Sequence, residues 1–550
     1  MIIEKINKII LEAINKQKKA HGELSFLVEK CKNIKFGDFS SNVALILAKK
    51  NGLKPIDVAN NLCDEIKKNK MFAKVEVAHP GFLNLWLSND YKNDLIYEIL
   101  DKKNDFGKFA KKNKKYSVEY VSANPTGLLH IGHARNAVLG NCLINVLEWY
   151  GIDVVSEYVV NDAGNQMNNL ATAVFIRYKQ LFGEKIDLPE DSYHGNEIIV
   201  VAQELKRKFN DKFLKTTINE NGRINNTEFE HEIRWFARDK FLEIIKNDLH
   251  DLGVDITYYF SEYQIHQNGL INKMIDDLLT RKEAYKKDGA IWLNTTKYGD
   301  DKDRVLIKSD GTPTYFAPDI IYHNYKFNTN GTQVCIDVWG ADHYSYITRM
   351  KAAMQASGIN PNNLIIITLQ MVRLVKNGKE FKMSKRTGQS LTTRDLIDAI
   401  GKDAARWFLI HQSSNNHIEI DVDIATKKDN NNPLYYVQYA HARANQLLNK
   451  ASVSMPKAFN NLNSDLEREI INELSFFKFT IENCAKTYEP YKMSVYLYNL
   501  AKLFHNYYAN TKVFESNNKF MNEQYYFIKA IKQVLANGLA ILGINAPDKM

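Results

Sequence analysis

The chain has no paired cysteines, no long apolar run and no internal repeat, and each absence removes a class of protein. Its five cysteines (Cys31, Cys63, Cys142, Cys335 and Cys484) are scattered singly, with no C-x-x-C spacing. That argues against a zinc ribbon or a disulfide framework and suits a reducing cytosol. No window approaches the ~20 apolar residues that a membrane-spanning helix needs. The opening MIIEKINKIILEAINKQKK sets Lys and Glu between its apolar positions and lacks a small-residue cleavage site, so it is not expected to be a secretion signal. Charge of one sign is not in large excess either: 73 Lys and Arg against 64 Asp and Glu leave a formal charge of +9. That balance permits a polyanionic partner without requiring one. The expectation is a soluble, cytoplasmic protein.

What is present is 550 residues, 45 % of them hydrophobic and 25 % charged, enough for about three or four units with ordinary cores. Residues 1–113 read as a small α/β module. Ile2, Ile3, Ile6, Ile9, Ile10 and Ala13 recur at helical spacing, and KVEVAHPGFLNLWLS alternates like two strands broken at Pro80-Gly81. The lysine-rich KKNDFGKFAKKNKK reads as a solvated linker. Then YSVEYVSA, the loop NPTGLLH and IGHARNAVLGNCLINVLEWYG give strand, glycine-containing loop and helix, the opening of a nucleotide-binding sheet. GIDVVSEYVV, QVCIDVWG and NLIIITLQMVRLV continue that sheet, interrupted at about residues 185–260 by charged, helical sequence. After about residue 395 strands become rare and the segments read as amphipathic helices. The expected fold is therefore multidomain α/β. It comprises a small α/β N-terminal domain (1–113), a Rossmann-like parallel-sheet domain with its insertion (114–395) and an all-α helical bundle (396–550).

Two motifs carry phosphate chemistry. His130-Ile131-Gly132-His133 falls where strand passes into helix, and a helix N-terminus offers unpaired N–H groups and a partial positive charge to a triphosphate. Two imidazoles flanking a glycine can both donate to phosphate oxygens, and Gly132 lets a nucleotide approach closely. Later comes Lys382-Met383-Ser384-Lys385 in the loop segment GKEFKMSKRTGQSLT. Two lysines three apart make a cationic clamp for pyrophosphate leaving an α-phosphate under attack. A histidine pair at a helix start, or a basic loop, is commonplace when alone. Together and in this order they resemble the HIGH and KMSKS signatures of class I aminoacyl-tRNA synthetases. That resemblance implies that His130, Gly132 and His133 handle ATP and that Lys382 and Lys385, with Met383 and Ser384 between them, hold the transition state.

A longer resemblance, to arginyl-tRNA synthetases, runs over essentially the whole chain. It is carried by FGDFSSNVAL, VEYVSANPTGLLHIGHAR, YVVNDAGNQ, GDDKDRVLIKSDGTPTYFAPDIIYH, WGADHYSYITRMKA, NPLYYVQYAHAR and LGINAPDKM. It implies Glu119, Asn124, Tyr315 and Asp319 as arginine contacts and Asp342 and His343 as neighbours of ATP or substrate. The chemistry agrees, because a guanidinium is a planar cation best met by carboxylates and a tyrosine. Tyr315 and Asp319, four apart, would share a helix face with Tyr322 and His323. By itself such a face is ordinary packing. Leu128 stands where the family commonly has proline, and the KMSK segment is complete where many members have a degenerate one. No editing domain is evident, and a site built to bond a guanidinium discriminates by about 10⁴–10⁵ through binding alone.

The resemblance further implies a tRNA partner specific for arginine, a monomer, transfer to the 2′-hydroxyl of the terminal adenosine, and arginine activation that waits for bound tRNA. Tyr435, Tyr436, Gln438, Tyr439, His441, Arg443 and Asn445 offer rings and donors suited to splayed bases, of which Tyr435, Tyr439 and Arg443 are the expected tRNA contacts. Phe36 and Asp38 in the FGDF segment are the expected contacts of the N-terminal domain. Magnesium is expected to arrive with ATP, and the sequence contains no all-protein metal cage. A cysteine-specific ligase would want a zinc site, and a small nucleotidylyltransferase would not need the helical last third. A tRNA-binding paralogue without activity would have no physical reason to keep both phosphate clamps.

Overall fold

The structure is a computed structural model and describes residues 1–17, 24–190, 192–220, 222–381, 391–513 and 520–550. It divides into two compact units, Met1–Ala110 with Lys427–Met550, and Lys111–Thr426.

In the first unit, the N-terminal part is a four-stranded antiparallel sheet in the order Val28–Lys30, Phe39–Ser41, Phe82–Leu87, Phe72–Ala78. The helix Ile2–Lys16 buries Ile2, Ile6, Ile10, Ala13 and Ile14 in the core beside it, with Ile3 and Ile9 half-buried at its edge. The rest of this unit is helical: Pro433–Leu448, Asp465–Thr487, Tyr491–Asn510 and Met521–Ile541, with Asn89–Lys102 against the last of these. The helix Pro433–Leu448 starts where it does because Asn432 accepts from the backbone N–H groups of Leu434 and Tyr435 and Pro433 occupies the first turn. The lysine-rich stretch is not wholly solvated. Phe106 is buried and stacks on Phe477 with centroids 5.8 Å apart.

The second unit is built on a five-stranded parallel sheet in the order Leu364–Leu369, Val334–Gly340, Lys115–Glu119, Asp153–Val160, Tyr258–Ser261. The chain lays three strands outward from Lys115–Glu119, then returns to add two on its other side. The switch point lies between Lys115–Glu119 and Val334–Gly340, and a crevice opens there at the carboxyl ends of the strands, where such sheets bind ligands. Asn136, on the helix Ile131–Trp149, holds this edge together. Its amide accepts from Val121 N at 2.8 Å and donates to Val338 O at 2.8 Å. Between Asp153–Val160 and Tyr258–Ser261 the chain forms three helices, Asn165–Gln180, which precedes the expected start of the insertion, Asn196–Phe209 and Thr227–Asp251, with a core of their own around Phe175, Tyr178, Phe213 and Phe241.

Two features depart from the sequence expectation. A three-stranded antiparallel sheet (Ala284–Lys287, Ala290–Leu293, Arg304–Ile307) follows the insertion. The second unit also runs on to Thr426, past the expected turnover near residue 395. The short strand Ile418–Asp421 pairs in parallel with Val372–Lys376 and keeps the intervening helices Thr393–Ile400 and Lys402–Ile410 with the sheet.

Candidate active site

A cavity of about 810 Å³ opens at the switch point. It is lined by Glu119, Asn124, His130, Gly132, His133, Asp319, Asp342 and His343 among the expected residues, by Tyr322 and His323 from the expected face beside Asp319, and by Glu262 and Tyr346, which were not expected there. Segment 382–390, with Lys382, Met383, Ser384 and Lys385, lies outside the described residues. Its far flank is fixed to the histidine turn: Ile131 N donates to Leu391 O at 3.0 Å and Thr393 N to Leu129 O at 2.7 Å.

His130 is the N-cap of the helix Ile131–Trp149. Its Nδ1 accepts from Gly132 N at 3.0 Å, and His133 Nδ1 accepts from His130 N at 3.2 Å, with the rings stacked 3.7 Å apart. Because both Nδ1 atoms accept, each neutral ring carries its proton on Nε2. Burial lowers the pKa of both, and the neighbouring His130 adds to the effect on His133, which falls to about 3. The pair therefore offers two neutral N–H donors rather than two cations. Gly132 is needed for this arrangement, since a Cβ there would stand 2.8 Å from His130 Cε1.

The cavity also carries acidic groups, in its lining and directly behind it, and their charges fall into two groups. Glu157, Glu119 and Asp337 lie in register across three adjacent strands. Lys326, fully buried, sits among them, with Nζ 2.6 Å from Glu119 Oε2, 3.0 Å from Asp337 Oδ1 and 3.7 Å from Glu157 Oε2. His323 Nε2 lies 2.7 Å from Asp337 Oδ2, and Tyr322 donates to Glu157 at 2.9 Å. Burial opposes the Asp337 charge, but Lys326 and His323 outweigh it and hold its pKa at about 2. The ligand atoms of Glu119, His323 and Asp337 come within 4.8 Å of one another, as in a metal site. They do not fit a metal ion, because the Lys326 ammonium already serves as their cation.

The second group has no such partner. Asp319 is held by the Tyr346 hydroxyl, which donates to Oδ2 at 2.6 Å. Burial nonetheless raises its pKa to about 6. Glu262, at the first position of the helix Glu262–Gln267, is raised to about 7 by burial and by the nearby Asp162 charge. Among the described residues neither carboxylate has a lysine or arginine partner, and His266 Nε2, 3.7 Å from Glu262, has its own pKa lowered by burial. Two carboxylates reluctant to ionise in one cavity form a place for a cationic substrate. Sequence reasoning missed Glu262 because a glutamate after a short strand carries no motif of its own, and only the pairing of Tyr258–Ser261 with Asp153–Val160 brings it to the crevice.

Asn124 lines the cavity with its amide engaged, donating to Gln166 Oε1 at 2.7 Å and accepting from Asn161 at 2.9 Å. Tyr315 differs from the expectation. The helix begins only at Phe316, so Tyr315 sits at its N-cap, 73 % exposed and outside the cavity lining, while Asp319, Tyr322 and His323 turn inward. Asp342 and His343 lie on the turn after Val334–Gly340, exposed and 3.4 Å apart.

In the first unit, Tyr435 and Tyr439 stack at 5.6 Å, Tyr439 stacks on His505 at 5.8 Å, and the Arg443 guanidinium lies 4.6 Å from the Tyr439 ring and 4.2 Å from that of Tyr508. Gln438, His441 and Asn445 do not join that ladder. They bond to the backbone of Asn545, Pro547 and Asp548, fixing the chain's last residues. Phe36 is exposed. Asp38 is not at the surface as expected. It is buried, accepting from Leu87 N, Arg468 and Asn472 (both at 3.0 Å), because a carboxylate out of water must be paired.

A parallel sheet with its crevice at the switch point, a capped histidine pair on the first helix and a helical last third define a class I aminoacyl-tRNA synthetase. Residues 95–447 match the class I (R) tRNA synthetase catalytic domain, residues 4–87 the arginyl tRNA synthetase N-terminal domain, and residues 437–550 the DALR anticodon binding domain. The chain is 50 % identical over 553 residues, covering all of both chains, to the arginine–tRNA ligase of Ureaplasma parvum. It is 44 % identical to that of Malacoplasma penetrans, covering 99 % of this chain and 98 % of the relative. The Thermus thermophilus arginyl-tRNA synthetase structure has the same fold, with a TM-score of 0.78 at 20 % identity over the whole of both chains. The chain belongs to the arginyl-tRNA synthetase family, and its activity is that of an arginine–tRNA ligase with ATP as co-substrate.

Proposed function

We propose that the cavity divides its two walls between the two halves of the reaction. The observation that carries this reading is the contrast between a neutral N–H donor pair and two carboxylates that lack a cation. The substrate guanidinium is the missing counter-ion of Asp319 and Glu262. Glu119, already neutralised by Lys326, and Asn124 serve the amino-acid end of the substrate. The arginine carboxylate oxygen attacks the α-phosphorus of ATP in line, the bond from that phosphorus to the β-phosphate oxygen breaks, and pyrophosphate leaves. His130 and His133 donate through Nε2 to the phosphates, and Lys382 and Lys385 neutralise the charge that develops on the leaving group. Asp342 and His343 flank the nucleotide. Magnesium enters as the ATP salt, with phosphate oxygens as its ligands. The 2′-hydroxyl of the terminal adenosine then attacks the acyl carbon, and AMP leaves.

The ladder of Tyr435, Tyr439 and Arg443 suits the stacking of unpaired tRNA bases, and Phe36 is a further exposed ring for the same RNA. Asp38 is withdrawn from that role. The five cysteines, scattered singly along the sequence, accord with a cytoplasmic protein, and we take it to act as a monomer. Charging of total tRNA against a panel of all labelled amino acids tests the reading, with label expected from arginine alone. Label from any other amino acid overturns the pocket assignment. In the same assay Tyr439→Ala raises the KM for tRNA about tenfold or more, and an unchanged KM removes the ladder from the RNA surface.

The pH dependence follows from the two carboxylates. Their pKa values are raised to about 7 and about 6, so both are ionised above neutrality and take up protons as pH falls. Only the ionised forms bind the guanidinium well. The KM for arginine is therefore expected to be lowest above about pH 7.5 and to climb steeply towards about pH 5.5. A KM flat over that range shows that neither carboxylate meets the substrate cation.

A further inference from the structure

Asp162, in the segment Asn161-Asp162-Ala163-Gly164, is the most heavily bonded carboxylate near the cavity, yet it does not line it. It is fully buried. Its two oxygens accept from the Ser261 hydroxyl at 2.8 and 2.9 Å, from Tyr263 N at 2.9 Å and from Arg238 Nη1 at 3.0 Å. Its backbone carbonyl accepts from Arg234 Nη2 at 2.6 Å. Ser261 is the N-cap of the helix Glu262–Gln267, but its own side chain makes no capping bond. The Asp162 carboxylate takes that place, receiving both the cap hydroxyl and the N–H of the helix's second residue. Glu262 lies between those two bonded residues, so its backbone is held where its side chain lines the cavity.

The other two donors come from the insertion. Arg234 and Arg238 stand four apart on the helix Thr227–Asp251, on the face that meets the Asp162 loop. Between them Trp235 meets the Tyr263 ring edge-on at 4.9 Å, and the Arg238 guanidinium lies 3.9 Å from the Trp235 ring. One buried carboxylate thus joins three parts of the chain: the loop after Asp153–Val160, the start of the Glu262 helix and the insertion helix.

We propose that Asp162 is a positioning residue of the arginine pocket, fixing Glu262 towards the substrate guanidinium and locking the Glu262 helix to the insertion through Arg238 and Arg234. The inference rests on the reading that Glu262 meets the substrate cation. Its electrostatic consequence is specific. The Asp162 charge disfavours ionisation of Glu262, and Arg238 partly cancels that charge. The other titratable groups beside Glu262 are His266 on its own helix and Asp319 across the cavity, and neither is altered by changing Asp162 or Arg238.

The test is steady-state charging by the full-length enzyme with tRNA and ATP, reading the KM for arginine against pH. Asp162→Asn keeps the size of the side chain and one acceptor oxygen but removes its charge. The KM for arginine is expected to rise about 10-fold or more, as for loss of an outer partner of a site ligand, with the KM for ATP unchanged. The acid limb of its pH profile moves to lower pH, because Glu262 ionises more readily. Arg238→Met exposes the Asp162 charge and moves the limb to higher pH, and Arg238→Lys restores it. Opposite displacements cannot come from a general loss of fold. Limbs that stay where they are in both variants, or move the same way, overturn the proposal. Glu262→Gln separates the two layers of argument. If it leaves the KM for arginine unchanged, the reading of Glu262 itself falls. If it raises that KM while the other variants leave the limb in place, only the role of Asp162 falls.

Discussion

Asp319→Asn is expected to lower kcat/KM for arginine roughly 10²–10⁴-fold, chiefly through KM. The substitution keeps the shape of the side chain and an oxygen for the Tyr346 hydroxyl, which donates to Asp319 at 2.6 Å, so the pocket keeps its form. On the proposed reading the substitution removes one of the two charges that face the substrate guanidinium in the cavity. Breaking a buried ion pair from one side costs about 3–5 kcal/mol, because the other charge stays buried without its partner, and each 1.4 kcal/mol is about tenfold. The large figure depends on the desolvation that raises the Asp319 pKa to about 6. Steady-state charging with arginine varied, at pH 8 so that the carboxylates are ionised, measures it. The KM for ATP serves as the internal control, since the phosphate wall is untouched. An unchanged KM for arginine would take Asp319 out of the site and leave Glu262 without its companion.

The second large effect belongs to the phosphate wall. His133→Ala should slow adenylate formation by about 10²–10³-fold, the usual cost of losing one preorganised donor to developing charge, with little change in the KM for arginine. The same loss is expected for Lys385→Ala. The histidine works as a neutral donor with Nδ1 tied to the backbone N–H of His130, so its contribution does not depend on becoming charged. Its low pKa, about 3, keeps it neutral around pH 7. The measurement is single-turnover formation of the adenylate with tRNA present. A rate within a few-fold of the parent enzyme would mean that Nε2 does not reach the phosphates.

The legibility of the site differed between its two walls, for a physical reason. A histidine pair at a helix start is a local device. The helix N-terminus, the N-cap and the flanking glycine are consecutive in the chain, so HIGH could be read directly. The parallel strands were equally open to reading, because Asp153–Val160 and Val334–Gly340 are short segments rich in Val and Ile, as in a doubly covered sheet. The acidic wall is not local. Glu119, Glu157 and Asp337 become neighbours only through strand register, and Lys326 reaches them from a helix that packs behind. No spacing in the sequence reveals that Glu119 is already neutralised, or that Glu262 is not.

Helical periodicity also misled at Tyr315. Four-residue spacing does not ensure that both side chains enter the crevice, and Tyr315, at the N-cap of its helix, stays exposed outside the lining while Asp319 reaches it. Asp38 failed for a related reason, since an acidic residue in a loop looks solvent-facing until Arg468 and Asn472 arrive from the far end of the chain.

The sequence by itself determined what depends on neighbours along the chain: the class of fold, the phosphate motifs, the family and hence the substrates. Tertiary structure alone decided which charges meet which. Coulomb energy in a dry interior depends on distances of a few ångströms between residues far apart in the chain, and strand register and helix packing set those distances.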